Sequence, residues 1–148
     1  MHRICIIKPK NQSIMKTAKQ FLLVSLVLVI GITFTANAQK VKPWEVPAKF
    51  KAMKNPVKSD EASINAGKAL YNKSCASCHG KTGLGDGPKA KGLDTFPGDF
   101  SKGEFVTQTD ADLFYKTKSG RNEMPKFDGK VDDESIWQII NFMRTFKK

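Results

Sequence analysis

The apolar residues near the C-terminus recur at intervals of three and four, which is the spacing of an amphipathic helix. This helix is predicted to start at Asp132 or Asp133 and to run to the basic pair Lys147 and Lys148. Its apolar positions are Ile136, Ile139, Ile140, Met143 and Phe146. No segment of the chain has a convincing strand pattern, so the sequence predicts an all-α fold.

Two further helices are predicted from their capping residues. The first begins after Ser59, carries acidic residues in its first turn where the helix dipole favours them, and runs toward Cys75. The second begins at Thr109, which forms a capping-box variant with Asp112, and ends near Gly120. Together with the C-terminal helix they give about three main helices.

The first predicted helix leads into Cys75-Ala76-Ser77-Cys78-His79, and C-x-x-C-H is the attachment signature of c-type haem. Two thiols one helical turn apart can each add across a vinyl group of one porphyrin, and the adjacent histidine then lies beneath the ring. We predict one covalent haem c, bound through Cys75 and Cys78, with His79 as the proximal iron ligand. The alternatives are a thioredoxin-like redox pair or a plain disulfide, but a thioredoxin-like pair belongs in a βαβ setting.

The segment at residues 80–103 is rich in glycine and proline, which excludes regular structure over most of its length. Long irregular loops are uncommon in compact domains unless they are functional. A porphyrin explains this one, because a flat apolar disc gives the side chains of the loop a surface to pack against.

A haem iron held by one histidine needs a sixth ligand or an open site. Met143 has helical spacing and is assigned to the core, while Met53 stays open as a candidate. Met124 is preferred, because it lies next to Pro125 in an otherwise polar loop where an apolar side chain needs a special reason. The alternative for Met124 is a side chain that plugs the loop onto the core.

The N-terminus predicts export. A basic stretch after Met15 precedes an apolar run from Phe21 to Ile32, and Ala36-Asn37-Ala38 is an A-x-A cleavage site, so residues 1–38 are interpreted as a signal peptide. The chain either starts at Met15 or has a long basic region before the apolar run. The protein is expected in the periplasm, or anchored in the membrane if the segment is not cleaved.

The formal net charge of +11 is concentrated at this end of the chain. Residues 39–58 form a predicted arm rich in lysine and proline, and residues 59–148 keep a net charge of only +1. The basic composition therefore does not indicate nucleic-acid binding. The arm either steers the protein toward an acidic partner or an anionic membrane surface, or packs on the domain as a strap with solubilising charges. Its lysines are Lys40, Lys42, Lys49, Lys51, Lys54 and Lys58.

With these motifs in place, residues 59–148 resemble a class I monohaem cytochrome c of the secreted bacterial type. The resemblance implies a small all-α domain wrapped around the haem, in which Gly67 and Tyr71 of the first helix pack against the last helix. It also implies that a proline carbonyl accepts a hydrogen bond from Nδ1 of the proximal histidine, and Pro88 is the expected counterpart. Residues 97–100 resemble the segment that walls the haem edge.

The implied function is one-electron transfer by a monomer, with His79 and Met124 as axial ligands and redox proteins as partners. A methionine ligand raises the reduction potential relative to a second imidazole. Two alternatives remain. One is a haem enzyme or gas-binding protein with an open distal site, and the other is a haem subunit of a larger oxidoreductase to which the arm attaches.

Overall fold

The computed structural model describes residues 43–147, so the predicted signal peptide lies outside the described residues. Within this range the chain is helical, without a strand beyond one isolated bridge, and none of its helices is long and apolar enough to cross a membrane. The elements are α1 (Ala48–Lys51), α2 (Glu61–Ser74), α3 (Ala76–His79), a 3-10 turn (Ala90–Gly92), α4 (Glu104–Thr107), α5 (Asp110–Ser119) and α6 (Asp133–Arg144). The all-α prediction is confirmed, and α2, α5 and α6 are the main helices.

Helix α2 begins one residue later than a cap at Ser59 would place it. Asp60 is the N-cap, and its carboxylate accepts a hydrogen bond from the backbone N–H of Ser63 at 3.0 Å. A carboxylate at this position also interacts favourably with the positive end of the helix dipole. The prediction of Ser59 was wrong by one residue, because the carboxylate of Asp60 caps the amide three residues further on.

The other two main helices begin at the predicted residues. Thr109 Oγ1 accepts from the Asp112 amide at 3.1 Å and the Asp112 carboxylate accepts from the Thr109 amide at 2.9 Å, which completes a capping box for α5. Gly120 follows α5 with a positive φ of 64°. The carboxylate of Asp132 accepts from the Ser135 amide at 2.8 Å and starts α6.

Helices α2 and α6 cross at a glycine. A Cβ at Gly67 would overlap the backbone carbonyl of Gln138, so the two backbones meet there without a side chain between them. One turn further along α2, the ring of Tyr71 packs edge-on against Phe142 with the ring centroids 5.3 Å apart. The pairing of the first and last helices that the resemblance implied is confirmed.

The hydrophobic core lies among the three main helices. Ile136 and Ile140 of α6 are fully buried, and Phe114 of α5 stacks on Trp137 with the ring centroids 4.2 Å apart. Met143 is only 6% exposed and belongs to the same cluster. The helical spacing therefore assigned Met143 correctly to the core.

Residues 43–58, called the strap from here on, pack on the helical body. Val46 is buried, and the ring of Phe50 lies 4.8 Å from the ring of Tyr115 and 6.5 Å from that of Phe114, measured between centroids. The lysines of the strap that the structure describes are exposed. The expectation that apolar side chains dock this segment on the domain is confirmed.

A buried amide ties the strap to two helices. Asn141 of α6 is 3% exposed, and its Oδ1 accepts a hydrogen bond from Asn55 at 2.8 Å. Its Nδ2 donates to Ser63 Oγ of α2 at 2.9 Å and to the Val57 carbonyl at 3.2 Å. Since buried polar groups are costly when unpaired, these contacts fix the strap in one position.

Replacing Gly67 with alanine should lower the free energy of unfolding by about 1–3 kcal/mol, because the new methyl group meets a backbone carbonyl that cannot rotate away. Denaturant unfolding measures the loss. Gly92→Ala is the matched control, since a Cβ at Gly92 has nothing within 4 Å. Equal stability of the two variants would contradict a backbone contact at this crossing.

Candidate functional site

The C-x-x-C-H run forms a separate helical turn at the end of α2. The backbone N–H of Cys75 still bonds to the Tyr71 carbonyl at 2.8 Å, and the N–H groups of Cys78 and His79 then bond to the Cys75 carbonyl at 3.1 and 3.0 Å. Cys75 is therefore both the C-cap residue of α2 and the N-cap residue of α3. The two thiols and the imidazole are placed by consecutive backbone hydrogen bonds rather than by a free loop.

Tyr71 fixes the far end of this turn. Its hydroxyl donates a buried hydrogen bond of 2.8 Å to the carbonyl of Gly80, the residue after His79. Burial raises the pKa of Tyr71 above its ordinary value, so the phenol keeps the proton that it donates. Gly80 has a positive φ of 79°, which lets the chain reverse directly after the histidine.

The side chains of Cys75, Cys78, His79 and Met124 line one cavity of about 530 Å³. Cavities that hold small molecules and cofactors commonly measure ~300–1,000 Å³. Residues from α2 and α3, from the 93–97 segment and from the loop after α5 all contribute to its wall. The four residues predicted as thiol and iron ligands are therefore brought together in space.

The two thiols are free and half-buried. Burial, with a smaller contribution from neighbouring Cys78, raises the pKa of Cys75 to about 12. Cys75 is consequently a protonated thiol at neutral pH and a weak nucleophile for adventitious reactions.

The imidazole of His79 is held between the cavity and Phe100, whose ring stacks on it with the centroids 4.7 Å apart. Burial lowers the pKa of His79 to about 4, and the nearby backbone carbonyl of Pro97 acts weakly in the opposite direction. The Nδ1 atom is buried and makes no hydrogen bond of ordinary geometry. The ring is thus neutral, which is the form in which histidine binds metals.

Pro88 and Pro97 occupy different surroundings. Pro88 is exposed and does not line the cavity, whereas Pro97 lines it and lies close enough for its carbonyl to affect His79. The backbone group that the structure places beside the imidazole is therefore that of Pro97.

Met124 lies at the end of a two-residue hairpin. The backbone N–H of Arg121 bonds to the Met124 carbonyl at 3.0 Å, and the Met124 N–H returns a bond of 2.9 Å to the Arg121 carbonyl. Asn122 has the positive φ of 52° that such a tight turn needs. A Cβ at the preceding Gly120 would lie 2.6 Å from the Met124 carbonyl oxygen, so a glycine is required for the hairpin to close.

Glu123 joins this hairpin to the opposite rim of the cavity. Its two carboxylate oxygens accept hydrogen bonds from the backbone N–H groups of Asp94 and Thr95 at 3.0 and 3.1 Å. Hydrogen bonds to an ionised acceptor are stronger than neutral ones. The contact holds the loop that carries Met124 against the segment that carries Pro97.

The other two methionines of the described chain lie elsewhere. Met143 is in the core, and Met53 is 37% exposed on the strap, outside the cavity wall. Of the methionines within residues 43–147, Met124 is the one that the cavity brings together with His79.

This donor set fits a c-type haem. A pair of free thiols, a neutral buried imidazole with an unsatisfied Nδ1 and a thioether share one largely apolar cavity. Within residues 43–147, no group of three or more histidine, cysteine or acidic side chains is arranged to hold a metal ion by itself.

Residues 62–143 match the family model described as "Cytochrome C oxidase, cbb3-type, subunit III", over more than half of the chain. The chain belongs to this cytochrome c family. As a cytochrome c domain it is a haem protein of electron transfer, and the all-α fold is the fold expected of one.

A solved structure with a similar fold comes from the reducing HAO-like protein complex of Kuenenia stuttgartiensis, at a TM-score of 0.58 and 28% sequence identity. The alignment covers 65% of this chain and 50% of that one, so this chain spans about half the length of its solved relative. No curated protein matches the sequence.

The positions of three residues in the site were not predicted from the sequence: Pro97 beside the imidazole, Glu123 and Trp44. Pro97 and Pro88 both follow the haem-binding run in glycine-rich sequence, and nothing local distinguishes them. Glu123 sits directly before Met124, and its backbone partners lie 28 and 29 residues away along the chain. Trp44 lies in the predicted arm of residues 39–58, and the structure places it on the cavity wall. The one sequence signal for this role was a tryptophan in an arm otherwise rich in lysine and proline.

Replacing Glu123 with alanine should lower the free energy of unfolding by about 1–2 kcal/mol, because two charge-assisted hydrogen bonds are lost at an exposed rim where water takes their place. Hydrogen exchange at the amides of Asp94 and Thr95 should become faster in the same variant. Glu45→Ala, an exposed glutamate of the strap, is the control. Unchanged exchange at both amides would show that the carboxylate does not hold the rim.

Proposed function

We propose that this cytochrome c is a one-electron carrier with a single haem attached covalently through Cys75 and Cys78. His79 and Met124 would be the two protein ligands of its iron. The observation that carries the proposal is that these four side chains, from two separate parts of the chain, line the same cavity. The bound haem supplies an iron that changes its oxidation state by one electron.

The residues that line the cavity have separate roles in this proposed function. Cys75 and Cys78 would hold the cofactor, and His79 and Met124 would both bind its iron, so a substrate would find no free position there. The thioether of Met124 favours the reduced state more than a second imidazole would, which raises the potential. Phe100, stacked on His79, limits the rotation of the ligand ring.

The carbonyl of Pro97 is proposed as the acceptor for Nδ1–H of His79, in place of Pro88. Such a hydrogen bond fixes the tautomer that leaves Nε2 free for the metal and raises the basicity of the ligand. The support is the location of Pro97 on the cavity wall beside the imidazole.

A second candidate function is that of a haem subunit within a larger oxidoreductase. The similarity to a chain of a protein complex favours it. In either case the exposed lysines of the strap are proposed to steer the protein toward an acidic partner or an anionic membrane surface. The dependence of electron transfer on ionic strength tests the steering, since exposed charges act within a Debye length of about 8 Å at physiological salt.

The haem should remain with the polypeptide through acid–acetone extraction and denaturing electrophoresis, because two thioether bonds hold it. We also propose export to the periplasm with cleavage after Ala38. The intact mass of the exported protein shows both whether haem is attached and where the chain is cleaved. Release of the haem would refute the covalent attachment. A mass that includes residues 21–36 would instead establish a membrane anchor.

Met124→Ala should lower the reduction potential, abolish the far-red sulfur-to-iron band of the oxidised protein and allow carbon monoxide to bind the reduced haem. The physical reason is the loss of the thioether ligand, which opens the sixth position. Potentiometry and absorbance spectra of the purified protein measure these changes.

Met143→Leu is the matched control for this variant. A volume-conserving change in the core should cost less than about 1.5 kcal/mol and leave the spectrum unchanged. If Met124→Ala kept the parent spectrum, another residue would be the ligand, and Met53 would be tested next.

A further inference from the structure

The strap contributes a wall to the haem cavity. Trp44 lines the same cavity as His79 and Met124, although it precedes the haem-binding run by some 30 residues. Its ring is half-buried, and two residues later Val46 is buried in the core. An aromatic side chain from outside the three main helices therefore shapes the cofactor site.

The ring of Trp44 is in contact with the hairpin that carries Met124. The guanidinium carbon of Arg121 lies 4.5 Å from the ring centroid, and the ammonium of Lys116 lies 5.7 Å from it. Both are cation–π distances, and tryptophan is the strongest partner for such contacts. Arg121 is also the residue whose backbone pairs with Met124 in both directions. The side chain of one hairpin residue thus rests on the strap while its backbone holds the predicted ligand.

The packing of the strap restricts the movement of Trp44. The strap is fixed behind it by the burial of Val46, by the packing of Phe50 on α5 and by the hydrogen bond between Asn55 and Asn141 of α6. The tryptophan is therefore a fixed surface against which the hairpin closes, and the helical core sets where that surface lies.

We propose that Trp44 is a positioning residue that holds the Met124 hairpin closed over the haem cavity through its contact with Arg121. The changes expected at the iron rest on the proposed function, in which Met124 is the ligand. Without the indole ring, the hairpin spends more of its time open, and an external ligand gains access to the sixth position. The apparent affinity of such a ligand rises with the fraction of protein in which the hairpin is open.

The test uses the haem-loaded protein and imidazole as the external ligand. Trp44→Ala should bind imidazole about tenfold more tightly than the parent, and its reduction potential should fall. Hydrogen exchange at the amides of Arg121 and Met124, which bond to each other's carbonyls, should become faster. Trp44→Phe, which keeps an aromatic face for the guanidinium, should restore most of the parent behaviour.

Two further variants separate positioning from general destabilisation. Arg121→Lys keeps the charge but loses the planar group that stacks on the indole, so it should shift imidazole binding in the same direction as Trp44→Ala. Glu45→Ala, the exposed neighbour, should shift neither measurement. A Trp44→Ala protein with parental imidazole affinity and parental exchange at both amides would overturn the proposal.

Failure of the His/Met assignment is distinguishable from failure of this proposal. A parent protein that lacks the sulfur-to-iron band or binds carbon monoxide refutes Met124 as the ligand. The exchange of the Arg121 and Met124 amides in Trp44→Ala still decides whether Trp44 holds the hairpin, because that measurement does not depend on what binds the iron.

Discussion

The close approach of α2 and α6 at Gly67 is the constraint on which the rest of the fold depends. It brings Tyr71 into the core beside Phe142, and from there the phenol hydroxyl reaches the carbonyl of Gly80. That hydrogen bond ends the turn that carries the two thiols and His79. A contact between two helix backbones therefore helps to orient the turn at Cys75–His79, which begins about eight residues further along the chain.

The other side of the site has independent support. The hairpin before Met124 is closed by its own backbone, permitted by Gly120, and tied to the opposite rim by Glu123. The strap adds a third support through Trp44. The two side chains proposed as iron ligands, one on a rigid turn and one on a separately held hairpin, line one cavity. A change on either side can therefore be studied while the other side stays in place.

The helices could be predicted because their determinants are local. Capping residues at Thr109 and Asp132 and the apolar spacing of α6 each lie within a few residues of the structure that they specify. The choice between Pro88 and Pro97 depends on how a long glycine-rich loop folds back onto His79, and the role of Trp44 depends on where the strap docks. Tertiary packing determines the position of the proline and of the tryptophan, and it cannot be predicted from a short window of sequence.

The tie between Asn55 and Asn141 joins residues 86 positions apart, and α2 likewise packs on the last helix of the chain. Contacts of such long sequence separation form only when both segments are present, and forming them closes a large loop of chain. During synthesis the C-terminal helix emerges last, so the turn with Cys75 and Cys78 is first present without the core that later buries it. In that interval the Cys75 thiol is open to solvent and has its ordinary acidity. Folding then buries the same thiol. The Cys75 thiol is therefore reactive before the last helix is in place and protected afterwards.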